Sequence, residues 1–376
     1  METFTFILAG SALLIWIVIL LLPWQPWKTG EIFYAQESEN EPELGDVTVL
    51  IPARNEAAVI KRTLRSVLNQ GSGINIILVD DESTDGTADI ARDEVGETLQ
   101  IINGQPLPEG WVGKLWALEQ GRKKLYSTYT VLLDADIELG PGVVNKMRET
   151  LINKDIHFMS LMVKPSMISF WEKLLMPAFV YFFKLLYPFR LANDPISNVA
   201  AAAGACILMN TEIYEKIDGF KSIKGELIDD CSLASRVKSA GYRTWIGLTQ
   251  SVLSVRPYRN LLDIWDMVAR TAFTQLRYSV VLLILTSVIM ILVYFIPIVI
   301  LVTSSGLVRY LAIGALLGML LTYLPTLNFY HRSKIWAFSL PLIGFLYLAM
   351  TWHSALRYWK GVRSQWKSRV YKSTII

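Results

Sequence analysis

What is scarce in this chain narrows its chemistry first. Only two cysteines occur in 376 residues, Cys206 and Cys231, with no CxxC pair, so neither a disulfide framework nor a thiolate zinc site is on offer. His157, His331 and His353 are the only histidines and lie far apart, which argues against a histidine zinc site. No GxSxG or HExxH stretch occurs, and the common hydrolase signatures are missing with them. Charge is thin too, at 18% of residues, and a net charge of +3 points to no particular partner.

What is plentiful is apolar. The chain is 52% hydrophobic with a mean hydropathy of +0.36, and the surplus gathers at the two ends. Residues 6–22 form an uninterrupted apolar run, followed by Pro23, Trp24, Pro26, Trp27 and Lys28. The leader METFTF carries no positive charge and no small-residue cleavage site follows, so residues 1–28 read as an uncleaved anchor. The run is short for a span, but the tryptophans suit a membrane interface, and Lys28 behind it directs the next domain to the cytoplasm.

At the other end, an amphipathic interfacial segment (259–279) leads into apolar runs at 280–302, 307–324 and 335–352, a transmembrane region spanning 280–352. The tail, 353–376, is strongly basic with interleaved aromatics. Nucleic-acid binding is one reading of such a tail. Beside a membrane segment, an anionic-lipid contact or a topology signal is the better one. Here the counting conflicts. An outside N-terminus plus four full spans leaves the basic tail outside, against the positive-inside rule. Either that rule fails, or one C-terminal segment is re-entrant or interfacial, and the last, with Pro341 and Gly344, is the candidate.

Between the ends, residues 29–46 are acidic and polar and read as a linker. From 47 onward the pattern changes. VTVLIPARNE gives a buried strand and a polar turn, then a helix with Ala57, Ile60, Leu64 and Val67 on one side. INIILVDDESTDGT repeats the scheme, 99–102 reads as a third strand, and 115–124 as a helix. YTVLLDADIE then runs five β-formers into Asp134 and Asp136. Strands alternating with helices predict an α/β domain with a mostly parallel sheet, from 47 to 258. Residues 166–193 stand out as aromatic and apolar, yet they carry Glu172, Lys173, Lys184 and Arg190. They read either as interfacial helices lying on a bilayer or as one large buried helix.

Acids recur where strands end: Asp80-Asp81, Asp134 with Asp136, and Asp229-Asp230. Ligands of parallel sheets sit at the carboxyl ends of strands. Two carboxylates one residue apart repel unless a cation or proton relieves them, and oxygen ligands of this kind suit Mg²⁺ or Mn²⁺. The plain alternatives are a solvated turn for Asp-Ala-Asp, a capped helix start for PARNE, a solvated lysine for Lys114, and an N-cap role for Asp230.

Six ordered blocks carry a resemblance: PARNE (52–56), VDDESTDGT (79–87), GWVGKLWAL (110–118), LLDADIE (132–138), AGACILMNTEIYEKIDGF (203–220) and IDDCSLASRVKSAGYRT (228–244). In this order the chain resembles family 2 glycosyltransferases over about residues 47–256. With an anchor before and apolar segments behind, it is similar to hopanoid-associated membrane glycosyltransferases and, more distantly, to ceramide glucosyltransferases.

The resemblance implies a GT-A fold, Rossmann-like, with N- and C-terminal transmembrane helices. It also implies an inverting transfer from a nucleotide-sugar, a UDP-sugar by expectation. Pro52, Arg54, Glu56, Asp80 and Asp81 would line the nucleoside slot, and Asp134 with Asp136 would hold a divalent cation (Mg²⁺ or Mn²⁺) across the diphosphate. Lys114 would reach the same phosphates, and Asp230 would be the general base, with Asp229 standing where the family has glutamate. The family's (Gln/Arg)-x-x-Arg-Trp motif is altered here to Thr274-Gln275-Leu276-Arg277-Tyr278, leaving Arg277 to contact diphosphate or acceptor. That alteration, with few spans to build a channel, argues against a polymerising synthase. The expected partners are a nucleotide-sugar donor, a lipid acceptor and the membrane, with no nucleic acid and no obligate protein partner. The expected location is a bacterial inner membrane, catalytic domain in the cytoplasm. Transfer to polyprenyl phosphate and a non-catalytic scaffold on a transferase fold are the alternatives.

Overall fold

The structure, a computed structural model, describes residues 2–37, 40–366 and 369–372. Its centre is a sheet of β1 (Ile32–Phe33), β2 (Val47–Ala53), β3 (Asn75–Asp80), β4 (Leu99–Asn103), β5 (Tyr129–Leu133), β6 (Ile137–Leu139), β7 (Phe158–Lys164), β8 (Cys206–Asn210) and β9 (Thr244–Ser254). The spatial order is β1-β9-β7-β8-β5-β2-β3-β4, with β6 paired to β9. Strands β5, β2, β3 and β4 form a parallel block. Strand β8 runs antiparallel between β5 and β7, so the sheet is mostly parallel but mixed.

Every residue of β2 is buried, as expected of a strand covered on both faces. Period-two alternation splits its side chains: Val49 and Ile51 join one apolar layer, and Leu50 joins the other. The helices between strands are α2 (Ile60–Leu68), α3 (Thr87–Val95), α4 (Gly113–Arg122), α5 (Val143–Lys154) and α9 (Asp229–Ser239). Helices α2 and α5 bury Leu64, Val67, Met147 and Leu151 in the first layer, while α4 and α9 bury Leu115, Leu118, Leu233 and Val237 in the second. Each such side chain contributes about 1.5–3 kcal/mol of burial.

The segment read as a linker, 29–46, is built into this domain. Ile32 and Phe33 pair with Leu248 and Thr249 as β1, Glu43 bridges to Ser72, and Leu44 is fully buried. An edge strand with open N–H and C=O groups takes up a neighbouring segment readily, which overrides the polar composition. Ser38 and Glu39 of that stretch lie outside the described residues.

The apolar ends form a second body. It comprises α1 (Glu2–Leu21), α6 (Phe170–Leu186), α7 (Phe189–Asn193), α10 (Leu261–Ala269), α11 (Ala272–Gln275), α12 (Val280–Met290), α13 (Ile296–Thr303), α14 (Gly306–Phe329) and α15 (Leu340–Trp359). The remaining short helix, α8 (Ile213–Lys216), belongs to the sheet domain. A π-helical turn, Ile291–Phe295, joins α12 to α13, and a 3₁₀ turn, Lys334–Ser339, leads into α15. Among the described residues, four helical stretches are long and apolar enough to cross a membrane: Glu2–Leu21, Val280–Thr303, Gly306–Phe329 and Lys334–Trp359.

Helices α1 and α14 approach closely at small residues. A Cβ on Gly318 would stand 2.7 Å from the Trp16 Cβ, and one on Gly314 would stand 3.1 Å from Leu13.

Residues 166–193 hold α6, one helix running through Pro177 with Leu174, Leu175, Ala178, Val180 and Tyr181 buried, followed by the short α7. Its Ser169–Glu172 capping box fixes the start, and Glu172 also accepts from the Tyr258 N–H at 2.8 Å. The Lys184 ammonium, almost fully buried, donates to the Lys28 carbonyl at the end of the anchor segment.

Candidate active site

The three strand ends that carry acids lie side by side. Pro52 in β2 is in register with Val79 of β3, and Leu50 with Leu132 of β5. The turns after β2 and β3 are stitched together. Asn55, at φ 52°, takes its N–H to the Ser83 Oγ at 3.0 Å and accepts the Thr84 N–H at 2.9 Å. The N–H groups of Glu56 and Ala57 go to Thr87 Oγ1 and Asp85 at 2.8 and 3.0 Å. Left-handed backbone is tolerated best by Asn and Gly, which accounts for the asparagine in PARNE.

This stitching holds Arg54 over the second strand end. Its guanidinium donates to the Asp81 carbonyl and lies 3.8 Å from the Asp81 carboxylate and 3.6 Å from that of Glu82. Asp81 is fully enclosed, while Asp80 accepts the Ser83 N–H at 3.2 Å.

The next cluster centres on Lys114, at the start of α4. Its ammonium lies 2.8 Å from Asp134 and 3.6 Å from Asp229. Burial works against that charge, yet Asp134, Asp229 and Asp230 outweigh it and hold the ammonium above its ordinary pKa. Asp134 itself is pushed up by burial, partly offset by Lys114, with Asp136 and Asp229 adding to the rise. Asp134, Asp229, Asp230, Lys114, Pro52 and Gly204 share one pocket.

Asp230 sits in the first turn of α9, whose N-cap is Ile228, so it does not cap the helix by side chain. Its carboxylate instead accepts from the N–H groups of Gly204 at 2.8 Å and Cys231 at 2.7 Å. A Cβ on Gly204 would stand 3.1 Å from the Asp230 Cβ and 3.4 Å from Lys114 Nζ, so a side chain here would press on both catalytic candidates. Burial first, and Asp229 second, push the Asp230 carboxyl up to about 6, against the lowering effects of Cys231, Lys114 and Gly204.

Two features escaped the sequence reading. Arg256, just beyond β9, donates to Asp136 and binds Glu56 through both carboxylate oxygens, at 2.7 and 2.8 Å. Burial opposes its charge, but Asp136 and Glu56 outweigh it and hold the guanidinium above its ordinary value. An arginine after a strand has no motif, and its partners lie far off in sequence.

The second is Tyr187, whose hydroxyl donates to Gln275 at 2.6 Å. Burial, then the neighbouring Cys231 and Asp230, hold that phenol above its ordinary pKa. Gln275 is one residue past Thr274, the position where the family motif expects Gln or Arg. Arg277, by contrast, is exposed at φ 52° and makes no ion pair among the described residues, so the structure does not bring it to the Lys114 cluster.

Among the described residues no group of three or more His, Cys, Asp or Glu side chains is arranged to hold a metal. Mg²⁺ and Mn²⁺ are commonly held by one or two carboxylates and completed by substrate phosphates and water. Asp134 and Asp136 fit that smaller donor set, each sharing its carboxylate with a resident cation, Lys114 or Arg256.

The comparisons bear on family and fold. Residues 48–218 match the Glycosyl transferase family 2 description. A 4,4'-diaponeurosporenoate glycosyltransferase of Staphylococcus haemolyticus is 36% identical over 93 residues, 25% of this chain and 24% of that protein. The enzyme of the same name from Staphylococcus aureus is 29% identical over 204 residues, 51% of each chain. The matches thus span about half or less of those relatives' lengths. Among solved structures, the mannosyltransferase PcManGT from Pyrobaculum calidifontis, in complex with GDP-Man and Mn²⁺, superposes at a TM-score of 0.53. That superposition covers 93% of this chain and 98% of that one at 17% identity, a likeness of fold. Family description, ordered motifs and sheet topology converge on one region: residues 48–218 form a domain that matches glycosyl transferase family 2, and the chain has the GT-A architecture.

Proposed function

We propose that this chain transfers a sugar from a nucleotide-sugar, a UDP-sugar in the first instance, to the hydroxyl of a membrane lipid, with inversion at the anomeric carbon. The observation that carries the reading is Asp230: a carboxylate raised to about 6, fixed by two backbone N–H groups, in the same pocket as Lys114 and Asp134. A base poised near neutrality takes a proton from an acceptor hydroxyl as that oxygen attacks. Lys114 faces the departing diphosphate and offsets its charge. A divalent cation held by Asp134 and Asp136 would neutralise the rest. Arg54, Asp80, Asp81 and Glu56 hold the nucleoside end.

The lipid inference draws on the apolar helices on either side of the domain and on Tyr187, which follows buried helix α6 and neighbours Asp230. The relatives named for diaponeurosporenoate support an apolar acceptor and raise a second reading, in which the acceptor is an anionic lipid acid. An anion attacks without surrendering a proton, so it would need Asp230 far less.

The test is transfer from labelled UDP- and GDP-sugars to a total lipid extract, by detergent-solubilised full chain with Mn²⁺. Asp136→Ala and Asp230→Asn are run alongside. A labelled lipid lost in both variants supports the hydroxyl reading. Product that survives Asp230→Asn moves the conclusion to an acid or phosphate acceptor. No product and no nucleotide binding in the wild type would sink the enzyme reading and bring back the scaffold.

A further inference from the structure

Of the four long apolar helices, the last behaves unlike the others. Three of them fit a simple hairpin geometry. Helices α1 and α14 run side by side in the same direction: Ala9 clusters with Ala312, and Trp16 with Gly318. Helix α13 runs opposite to both, since Ile300 lies at the level of Ala9 and the Trp16 indole donates to the Val293 carbonyl. The far ends of these helices are therefore Glu2, Thr303 and Gly306. Their near ends adjoin the sheet domain: Lys28 is held by Lys184, and the Phe329 carbonyl takes the Gln250 amide of β9.

Helix α15 begins at that near end, a short turn after Phe329. In the 3₁₀ turn before it, Trp336 packs on Phe170 with ring centroids 5.9 Å apart. Ser169, which caps the helix starting at Phe170, donates to the Tyr258 carbonyl of the sheet domain at 3.0 Å.

It also finishes at the near end. The Ser354 hydroxyl accepts the Phe273 N–H at 3.1 Å, the Trp265 indole donates to His353 at 2.7 Å, and Arg357 pairs with Asp266 at 3.0 Å. Tyr358 stacks on Tyr278 at 4.4 Å, before the first residue of α12. Between these points α15 runs antiparallel to α12: Gly344 lies against Tyr294, Trp352 against Ser287, and Ala355 against Leu283. A helix of this length covers about 30 Å, enough to cross a bilayer, but one with both ends on the same side does not cross.

The surface of α15 offers one side to lipid. Leu342, Phe345, Trp352, Leu356 and Trp359 are all exposed, at helical spacings of three, seven, four and three. That is one continuous stripe. The opposite face, with Ile343, Tyr347, Met350 and Ser354, is buried, and Tyr347 donates to the Leu175 carbonyl of α6 at 2.9 Å.

We infer that α15 is a re-entrant helix: it dips into the bilayer alongside α12 without crossing, its flanking segments stay on the catalytic domain's side, and its Leu-Phe-Trp stripe faces lipid. The chain then crosses the bilayer three times, through α1, α12–α13 and α14. The tail that begins at Lys360 then stays on the domain's side, and its sequence is rich in Lys and Arg, a composition suited to anionic headgroups. Three crossings also remove the conflict with the positive-inside rule that four would create.

This inference rests on the membrane reading above, and the experiment separates the two. Full-length chain is placed in sealed vesicles with a membrane-impermeant maleimide, using Asp93→Cys on the domain, Ser305→Cys before α14, and Lys360→Cys after α15. All three positions are exposed, and both native thiols are buried, Cys206 being pushed up to about 12. A protease site appended after Ile376 gives a second readout of the tail. Lys360→Cys should label, and the appended site should be cut, from the same side as Asp93→Cys, with Ser305→Cys reacting only from the other. Labelling and cutting with Ser305→Cys would overturn the inference while leaving the membrane reading intact. Reaction of Ser305→Cys and Asp93→Cys from one side would mean that α12–α13 does not cross, and both would fall.

Discussion

Two clusters of charge flank Ala135, and they differ in balance. Around Lys114, one cation faces three carboxylates, Asp134, Asp229 and Asp230. Around Arg256, one cation faces two, Asp136 and Glu56, and contacts both directly. The first cluster has more negative charge than its cation can satisfy, and its Asp134 and Asp230 carboxyls are raised by burial first and by that crowding of carboxylates after it. In the second, both carboxylates are in direct contact with the one guanidinium, which ties three distant parts of the chain together. The comparison teaches that an underpaired cluster is poised for chemistry and a paired one for bracing, even when they share one Asp-Ala-Asp.

The largest expected effect falls on the underpaired side. Asp230→Asn should cost about 10²–10⁴ in kcat for a hydroxyl acceptor, the usual worth of a general base. In the wild type, the base works only when ionised. Transfer should therefore fall by about tenfold per pH unit well below 6 and level off above it, read as log kcat/KM against pH. The sign for stability is opposite. The folded chain keeps a proton on Asp230 that the unfolded chain releases between 3.8 and about 6, so this group favours folding at the acid end of that window. Asp230→Asn should flatten that part of the stability profile.

Lys114→Gln comes next. Losing charge-assisted contacts to the diphosphate should raise the donor KM by about 10–100-fold. Because Lys114 lowers the Asp230 pKa, the acid limb should also move above 6. An unmoved limb would mean that the two groups are not coupled.

On the braced side, Arg256→Gln should leave donor-saturated kcat less affected than Lys114→Gln does. It should tighten Mn²⁺ binding in the absence of nucleotide by several-fold, since removing one cation from Asp136 is worth on the order of 1 kcal/mol. Paramagnetic titration of Mn²⁺ measures this, and weaker Mn²⁺ binding would contradict the pairing argument. The smallest effect is Tyr187→Phe, which deletes one hydrogen bond to Gln275. A change of about 0.5–1.5 kcal/mol, or a few-fold in acceptor KM with kcat kept, is expected from steady-state kinetics.

The sequence showed the strands well wherever a strand end carried function. β2, β3 and β5 announce themselves as apolar runs ending in Arg54, Asp80 or Asp134, because a buried parallel strand must be apolar and its ligands must sit at its end. What stayed hidden was set by pairing across long separations. β1 forms only because the β9 edge is open beside it, 216 residues away in sequence, and Arg256 acquires meaning only beside Glu56, 200 residues before it. Gln275 is one position off the family register, and only the fold shows that it, through Tyr187, lies near Asp230. Helix α15 passes every length and hydropathy test for a span, tests that ask how long a helix is and never where its two ends lie.

The pairing of Ile32 and Phe33 with β9 leaves little slack between α1 and the sheet. A domain on a loose leash would sweep a volume and meet acceptors at many depths. Under the membrane-lipid reading proposed above, this one would be moored at a fixed altitude above the bilayer, and an acceptor would have to rise to meet it. Such a mooring would work as a ruler, selecting lipids by how far their reacting group stands out of the leaflet before any contact in the pocket selects them by shape.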